Sequence, residues 1–349
     1  MSLLTADSLP VVDAVTLASL SPEDLVELRR LRLVQSLRNT TYPALNGQGF
    51  IRLVDCYGTD DRIVGAARLT AQSVGKTFSD DRTLLRYLMR HRHTTPIEFC
   101  ELTLHIRVPM DCWRQWIRHR TASVNEFSTR YSHAIDEKAT TPPDKWRMQS
   151  KGNRQGSSGA VVNNWDDVDS NWELPGGIGR PECHPGAYLS AREQTLHNLS
   201  DEVYHERLAF GVAKEVARKD LPLSTFTEAY WKIDLHNLLH FLGLRMDSHA
   251  QQEIREYADI VGKELVSQLF PVTWEAFQDY HLNSLKMTTL DIGVCRRLSG
   301  VGGSSQREFL VAQPDAWASL ERCRERVECW NKLTQLGICW YDPTQPDIT

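Results

Sequence analysis

Leu102, Leu104, Ile106 and Val108 alternate with Thr103, His105 and Arg107, and Pro109 closes the run. Apolar residues at every second position give an extended segment one buried and one polar face, because successive side chains of a strand point to opposite sides. Proline ends such a strand and can open a helix, so the spacing predicts a half-buried strand followed by a helix containing Trp113, Trp116 and Ile117. Arg118-His119-Arg120-Thr121-Ala122-Ser123-Val124-Asn125-Glu126-Phe127-Ser128-Thr129-Arg130-Tyr131-Ser132 follows, where a helix gives way to a loop. Three arginines and several short hydrogen-bonding side chains suit an anion: arginine offers a planar fork of donors that stays charged, and Ser, Thr and Asn add hydroxyl and amide groups. The structural alternative is that these arginines pair with the last helical carbonyls or with surface acids.

The 349 residues allow one large domain or two ordinary ones. A net charge of -5 makes no general case for nucleic-acid or membrane binding, so the arginines must be argued locally. The eight cysteines form no CxxC pair or disulfide framework, no secretory signal opens the sequence, and no apolar run approaches the roughly 18 to 20 residues of a membrane span; a cytoplasmic protein is expected.

Ser21-Pro22-Glu23-Asp24 starts a helix with a capping hydroxyl, proline at the first position and early acids. Thr40 to Gly49 reads as a linker, Phe50 to Val54 as a strand, Arg62 to Leu69 and Asp81 to Arg92 as helices. From Lys138 to about Gly186 the composition turns to Gly, Ser, Asn, Asp and Pro, the mark of a long, partly disordered surface insertion. Helical patterning returns from Ser190 to Arg218, Thr225 to Lys232 suits a strand, Asp234 caps a helix through Leu242, and another helix runs from about Asp247 to Leu269. Ser319 to Gly337 reads as a last helix.

Arg118 to Ser132 carries the pattern RHRxxSxNExSxRYS, which resembles the signature of the flavin-dependent thymidylate synthases, the ThyX family. Three further stretches fit: His91 to Glu98 is similar to an HxxTPxEH segment with Phe99 in place of the final His; Val216 to Pro222 is similar to VAR-x-x-LP; and Leu244 to Ile254 is similar to LRxDxHAQxEI. The likeness covers about residues 50 to 136 and 187 to 281. It implies an α+β fold with a mixed, largely antiparallel sheet flanked by long helices. No GxGxxG follows a strand, so a Rossmann domain is not expected. The implied layout is an N-terminal helix and linker over 1–45, a catalytic domain over 46–282 containing the insertion at about 138–186, and a C-terminal extension over 283–349.

The resemblance also implies an activity: methylation of deoxyuridine monophosphate (dUMP), with methylenetetrahydrofolate as carbon donor, reduced FAD as hydride donor and NADPH as reductant, in a homotetramer. Arg245 is then the catalytic residue, polarising the pyrimidine. Gln115, Trp116, Ile117, Arg118, Glu126, Phe127, Ser128, Thr129, Arg130, Arg218 and Arg245 hold dUMP, with Arg218 reaching it from a second subunit. Thr95, Arg118, His119, Arg120, Thr121, Asn125, Glu126, Asp234, His236 and His240 hold FAD between subunits, with His93 and Glu98 lining the site.

Other readings stay open on the residues alone. His91, His93 and Glu98, the pair His236 and His240, and the pair His249 and Glu253 have spacings a metal could use, but no Cys or further His completes a set, and no metal is expected. Cys183-His184 imitates a nucleophilic cysteine and its partner, yet sits in the Gly-rich insertion away from any electropositive niche. Arg107, Arg114, Arg118, Arg120 and Arg130 beside Trp113 and Trp116 could instead form a stacking platform for nucleic acid.

Overall fold

The computed structural model describes residues 20–69, 78–132, 137–150, 156–169, 181–298 and 323–337. The chain divides into two compact units, Met1–Leu282 and Asn283–Thr349. In the first, α1 (Pro22–Arg38) begins at Ser21, whose hydroxyl accepts from the Asp24 N–H while the Asp24 carboxylate returns a bond to the Ser21 N–H. Then come β1 (Thr41–Ala44), β2 (Gly49–Tyr57), α2 (Asp60–Arg68), α3 (Phe78–Arg90), a 3-10 turn at Thr95–Phe99, β3 (Glu101–Pro109), α4 (Met110–Trp116) and β4 (Ala122–Glu126). The chain continues through β5 (Arg147–Gln149), β6 (Ser157–Val161), α5 (Pro185–Ala209), α6 (Lys214–Ala217), β7 (Phe226–Asp234), α7 (Leu235–Arg245), α8 (Gln252–Ile260) and α9 (Pro271–Phe277).

One five-stranded sheet, in the order β1-β2-β3-β7-β4, organises this unit, and every pairing in it is antiparallel. The fold is thus α+β, with the sheet wholly antiparallel. On one face Leu102, Leu104, Ile106 and Val108 of β3 are fully buried, with Ala229, Trp231 and Ile233 of β7 beside them. Trp116 of α4, Phe241 of α7 and Tyr257 of α8 cover that face, and the Trp116 ring lies 4.9 Å from Phe241 and 5.3 Å from Trp231. The opposite face is polar: His105 meets Glu228 at 2.9 Å and Lys232 meets Glu101 at 2.6 Å.

Several boundaries differ from the sequence reading, each for a local reason. Thr40 to Gly49 is no linker: Thr41–Ala44 pairs with β2, its proline tolerated because β1 is the sheet edge. Leu45, Asn46 and Gly47, all at positive φ, turn the chain. The helix expected from Ser190 begins earlier, where the His184 ring accepts from the Gly186 N–H and Pro185 takes the first turn. It also ends earlier, at Gly211 (φ 77°), where Val212 N–H reaches the Arg207 carbonyl and Gly211 N–H the Leu208 carbonyl, a Schellman closure only a left-handed residue completes. The helix expected from Asp247 starts at Gln252 because the Asp247 carboxylate accepts from the His249 N–H and holds a turn. That helix continues through a π turn, Val261–Val266.

Within the insertion, β5 and β6 form an antiparallel hairpin. The start of the insertion is stitched to α5: Thr141 N–H donates to Glu193, Trp146 to Ser190, and the buried Lys138 pairs with Asp201. Gly152, Gly176, Gly177 and Gly179 lie outside the described residues. The second unit contains α10 (Thr289–Leu298) and α11 (Cys323–Gln335), joined by the Lys332–Asp291 ion pair at 2.6 Å. Residues 319–322 of the last expected helix lie outside the described residues. No described helix is long and apolar enough to cross a membrane.

Trp116→Ala removes the ring on which three helices and the sheet converge. The expected outcome is a loss of about 3–5 kcal/mol, read as a lower urea midpoint at unchanged m-value.

Candidate active site

The arginine-rich signature straddles the free edge of the sheet. Helix α4 closes at Ile117, and Thr121 follows at φ 63°, a left-handed conformation that a β-branched residue rarely holds and that marks functional segments. The chain then pairs as β4 with β7, from Ala122↔Ile233 to Glu126↔Ala229. Four residue steps of strand separate the two ends by about 13 Å, and a cluster of polar residues gathers at each.

The first cluster sits where α4 ends. The Arg245 guanidinium, at the last position of α7, donates from Nε to His119 Nε2 at 3.0 Å and from Nη2 to the Gln115 carbonyl at 3.3 Å. Burial, then the Arg245 charge and His240, push the His119 imidazole down to about 4. The ring is therefore neutral near pH 7, with Nε2 as the acceptor and the proton on Nδ1. Gln115 in turn donates to Gln251, whose own amide donates to Asp111 at 3.1 Å. His240 stands on the exposed side of α7, its ring 6.0 Å from His119. Arg118 and Arg120 are exposed and have no carboxylate within ion-pair distance among the described residues, so the surface-pair alternative does not account for them. Thr95 is exposed on the 3-10 turn that packs against α7.

The second cluster lies beyond Glu126. Thr227 donates to Glu126 at 2.9 Å, Arg218 donates to Thr129, and Arg130 pairs with Glu215 at 2.9 Å. The Ser128 hydroxyl and carbonyl fold the chain back on Arg130 and Ser132. These residues line an open cavity of about 630 Å³, together with Phe127 and Lys219. Arg130, Arg218 and Lys219 make it cationic, with Glu126 and Glu215 set between them.

The structure thus brings the expected residues into two groups on one chain: Gln115, His119, His240 and Arg245 at one end of β4, and Glu126 to Arg130 with Arg218 at the other. Asn125 is exposed on β4 between them. Trp116 contributes no side chain to either, because its indole is fully buried; Ile117 beside it is exposed. Asp234 spends its carboxylate capping α7, accepting from the Asn237 backbone and side-chain amides at 2.9 and 2.8 Å, while His236 stays half-buried. The sequence reading gave no role to Gln251, Glu215 or Lys219. Gln251 stood inside the LRxDxHAQxEI stretch and Glu215 directly before VAR-x-x-LP, but only the fold shows which groups they meet.

The other readings fare differently. Trp113 and Trp116 are 1% and 0% exposed, so these two rings offer no stacking platform for nucleic acid. Among the described residues no three His, Cys, Asp or Glu side chains converge to hold a metal. Burial pushes the Cys56 and Cys100 thiols up to about 12, and Cys112 higher still, the opposite of an activated nucleophile. The His184 beside Cys183 is committed to capping α5.

The structure is an antiparallel α+β unit whose edge strand β4 is flanked by Arg118 and Arg120 on one side and Arg130 on the other. Residues 52–272 match the family profile described as thymidylate synthase complementing protein. A flavin-dependent thymidylate synthase from Wolbachia pipientis is 42% identical over 253 residues, 72% of this chain and 81% of that one. One from Thermus thermophilus is 39% identical over 282 residues, 77% and 94%. Among solved structures, a UMP/dUMP methylase, PolB from Streptomyces cacaoi bound with 5-Br dUMP, superposes with a TM-score of 0.56 at 28% identity, covering 69% of this chain and 98% of that one. The chain belongs to the flavin-dependent thymidylate synthase family.

Because His119 is held neutral, its native form is lost as pH falls. A depressed histidine contributes stability that is complete above the unfolded value near 6.5 and disappears as pH drops towards about 4. Histidine NMR should show His119 titrating below pH 5, and Arg245→Ala should move it upward by removing the neighbouring charge.

Proposed function

We propose that this protein is a flavin-dependent thymidylate synthase that converts dUMP to thymidylate. Methylenetetrahydrofolate gives the one-carbon unit and leaves as tetrahydrofolate, and NADPH is oxidised to NADP+. FAD, when bound and reduced, supplies the hydride that completes the methyl group. The donor set fits a flavin dinucleotide: Arg118 and Arg120 are cations with no carboxylate partner among the described residues, open to a diphosphate, and Thr95, Asn125 and His240 offer exposed polar groups.

The observation that carries this reading is the setting of Arg245. Two of its five N–H donors are spent on His119 and the Gln115 carbonyl, and Nη1 has no partner among the described residues. A neutral His119 orients the guanidinium without opposing its charge. Arg245 is thereby presented to the edge of a uracil ring, where it favours loss of the N3 proton and stabilises negative charge on the carbonyl oxygens. That raises electron density at C5, the carbon to be methylated, with no thiol adding to the ring. The cavity around Ser128, Thr129, Arg130 and Arg218 suits the nucleotide phosphate, since its three cations outnumber Glu126 and Glu215.

The two clusters lie at opposite ends of β4, so one molecule of dUMP is held by Arg245 of one subunit and Arg218 of another, with FAD between subunits of a homotetramer. The resemblance of the Val216 to Pro222 stretch and the split of the site both support this. The enzyme works in the cytoplasm.

Purified protein is expected to show the visible absorbance of bound flavin and to methylate dUMP; a protein that cannot take up FAD would sink the proposal. Arg245→Ala should abolish turnover while leaving the unfolding midpoint near wild type. Cys183→Ala should leave turnover unchanged, and a large loss there would point to thiol catalysis instead.

A further inference from the structure

The insertion hairpin and the start of α8 enclose a second cavity of about 310 Å³. Its walls come from segments a hundred residues apart. Arg147 of β5 ties them together: its guanidinium meets Glu253 at 2.7 Å and the Gln252 side chain at 3.0 Å, and donates to the Ser157 hydroxyl at 3.2 Å. Lys145 and Arg255 also line the space, as do the Ser157 and Ser158 side chains.

Three cations, Lys145, Arg147 and Arg255, line the space against one acid, Asp144. Arg147 is matched by Glu253, whose carboxyl that pairing lowers against the opposing effect of burial. Asp247 is bonded to the His249 ring at 2.8 Å and feels the Arg255 charge at longer range, and Asp144 approaches Lys145 to 3.7 Å. Arg255 gives Nη1 to the Ser248 carbonyl at 2.8 Å and has no carboxylate within ion-pair distance among the described residues. Gln251, at the N-cap of α8, makes no cap bond to the first-turn N–H groups; its side chain joins Gln115, Asp111 and the Glu253 carboxylate.

We propose that this cavity is an anion subsite that receives the acidic tail of a co-substrate, a carboxylate or phosphate group held by Arg255 and Lys145, so that the insertion serves recognition. The inference rests on the thymidylate synthase reading, which requires two anionic co-substrates besides the nucleotide and the flavin. The volume admits a glutamyl or phosphate group and not a whole dinucleotide. Ala250 and Gln252 of its wall flank Gln251, which accepts from Gln115, and the Gln115 carbonyl accepts from Arg245, so the cavity is coupled by hydrogen bonds to the residue proposed to face the pyrimidine.

Calorimetric titration of the full-length protein tests this without turnover. The ligands are tetrahydrofolate bearing one or three glutamates, and NADPH or NADH; the proteins are wild type, Lys145→Ala/Arg255→Ala, and Arg255→Lys as the charge-preserving control. Loss of two cationic contacts is expected to weaken one ligand about tenfold or more, with Arg255→Lys largely restoring it. Weakened triglutamate binding, with the monoglutamate less affected, identifies the folate tail; weakened NADPH binding, with NADH unaffected, identifies the phosphate. Equal affinities in wild type and double variant would overturn the proposal, as would a wild type that binds neither ligand. Methylation of dUMP, assayed separately, reports on the enzyme reading itself.

Discussion

Nine consecutive residue pairs join β3 to β7, from Glu101↔Asp234 to Pro109↔Phe226, and the rest of the first unit hangs from that ladder. It brings residues more than a hundred positions apart into register, and a slip of one residue would turn Leu104 and Trp231 towards solvent. β7 then offers its other edge to β4, and Asp234 at its end caps α7. The signature and the helix ending in Arg245 are thereby fixed to the same strand, one by backbone pairing and one by direct continuation. The two clusters inherit their geometry from it.

Electrostatics supplies the second constraint. Under the proposed function the site holds nucleotide and flavin phosphates and so gathers cations, and cations repel. Here the conflict is eased in two ways: the histidine nearest Arg245 is uncharged, and glutamates are interleaved among the arginines beyond β4. Glu126 and Glu215 hold Thr227 and Arg130 without neutralising the cavity. Arg118 and Arg120 have no carboxylate partner among the described residues, which costs little at the surface and leaves their donors available.

Much of this was legible in the sequence, because it is written in local chemistry. The alternation from Leu102 to Val108 shows β3 directly, Ser21-Pro22 marks α1, and Asp234 marks α7. The site stretches were recognisable by resemblance, not by spacing. What stayed hidden depends on distant partners. Thr41–Ala44 looks like a linker because its strand is short and contains Pro43; only β2 makes it a strand. Gly211 resembles any helical glycine until the Arg207 carbonyl needs a partner. Trp116 reads as a site residue from its place beside Arg118, and only packing shows its ring turned into the core. Gln251 connects to Gln115 and Asp111 across 136 and 140 positions, which no local pattern reveals.

β4 is the last strand of the sheet, five residues long, with four of the five exposed. Few core contacts depend on the side chains it carries, so substitutions there leave the packing of the first unit largely intact. Recognition and foldability are therefore separable along this chain. Exposed positions such as Ser123, Asn125 and Phe127 can vary without disturbing the β3–β7 ladder, which gives the fold room to diversify.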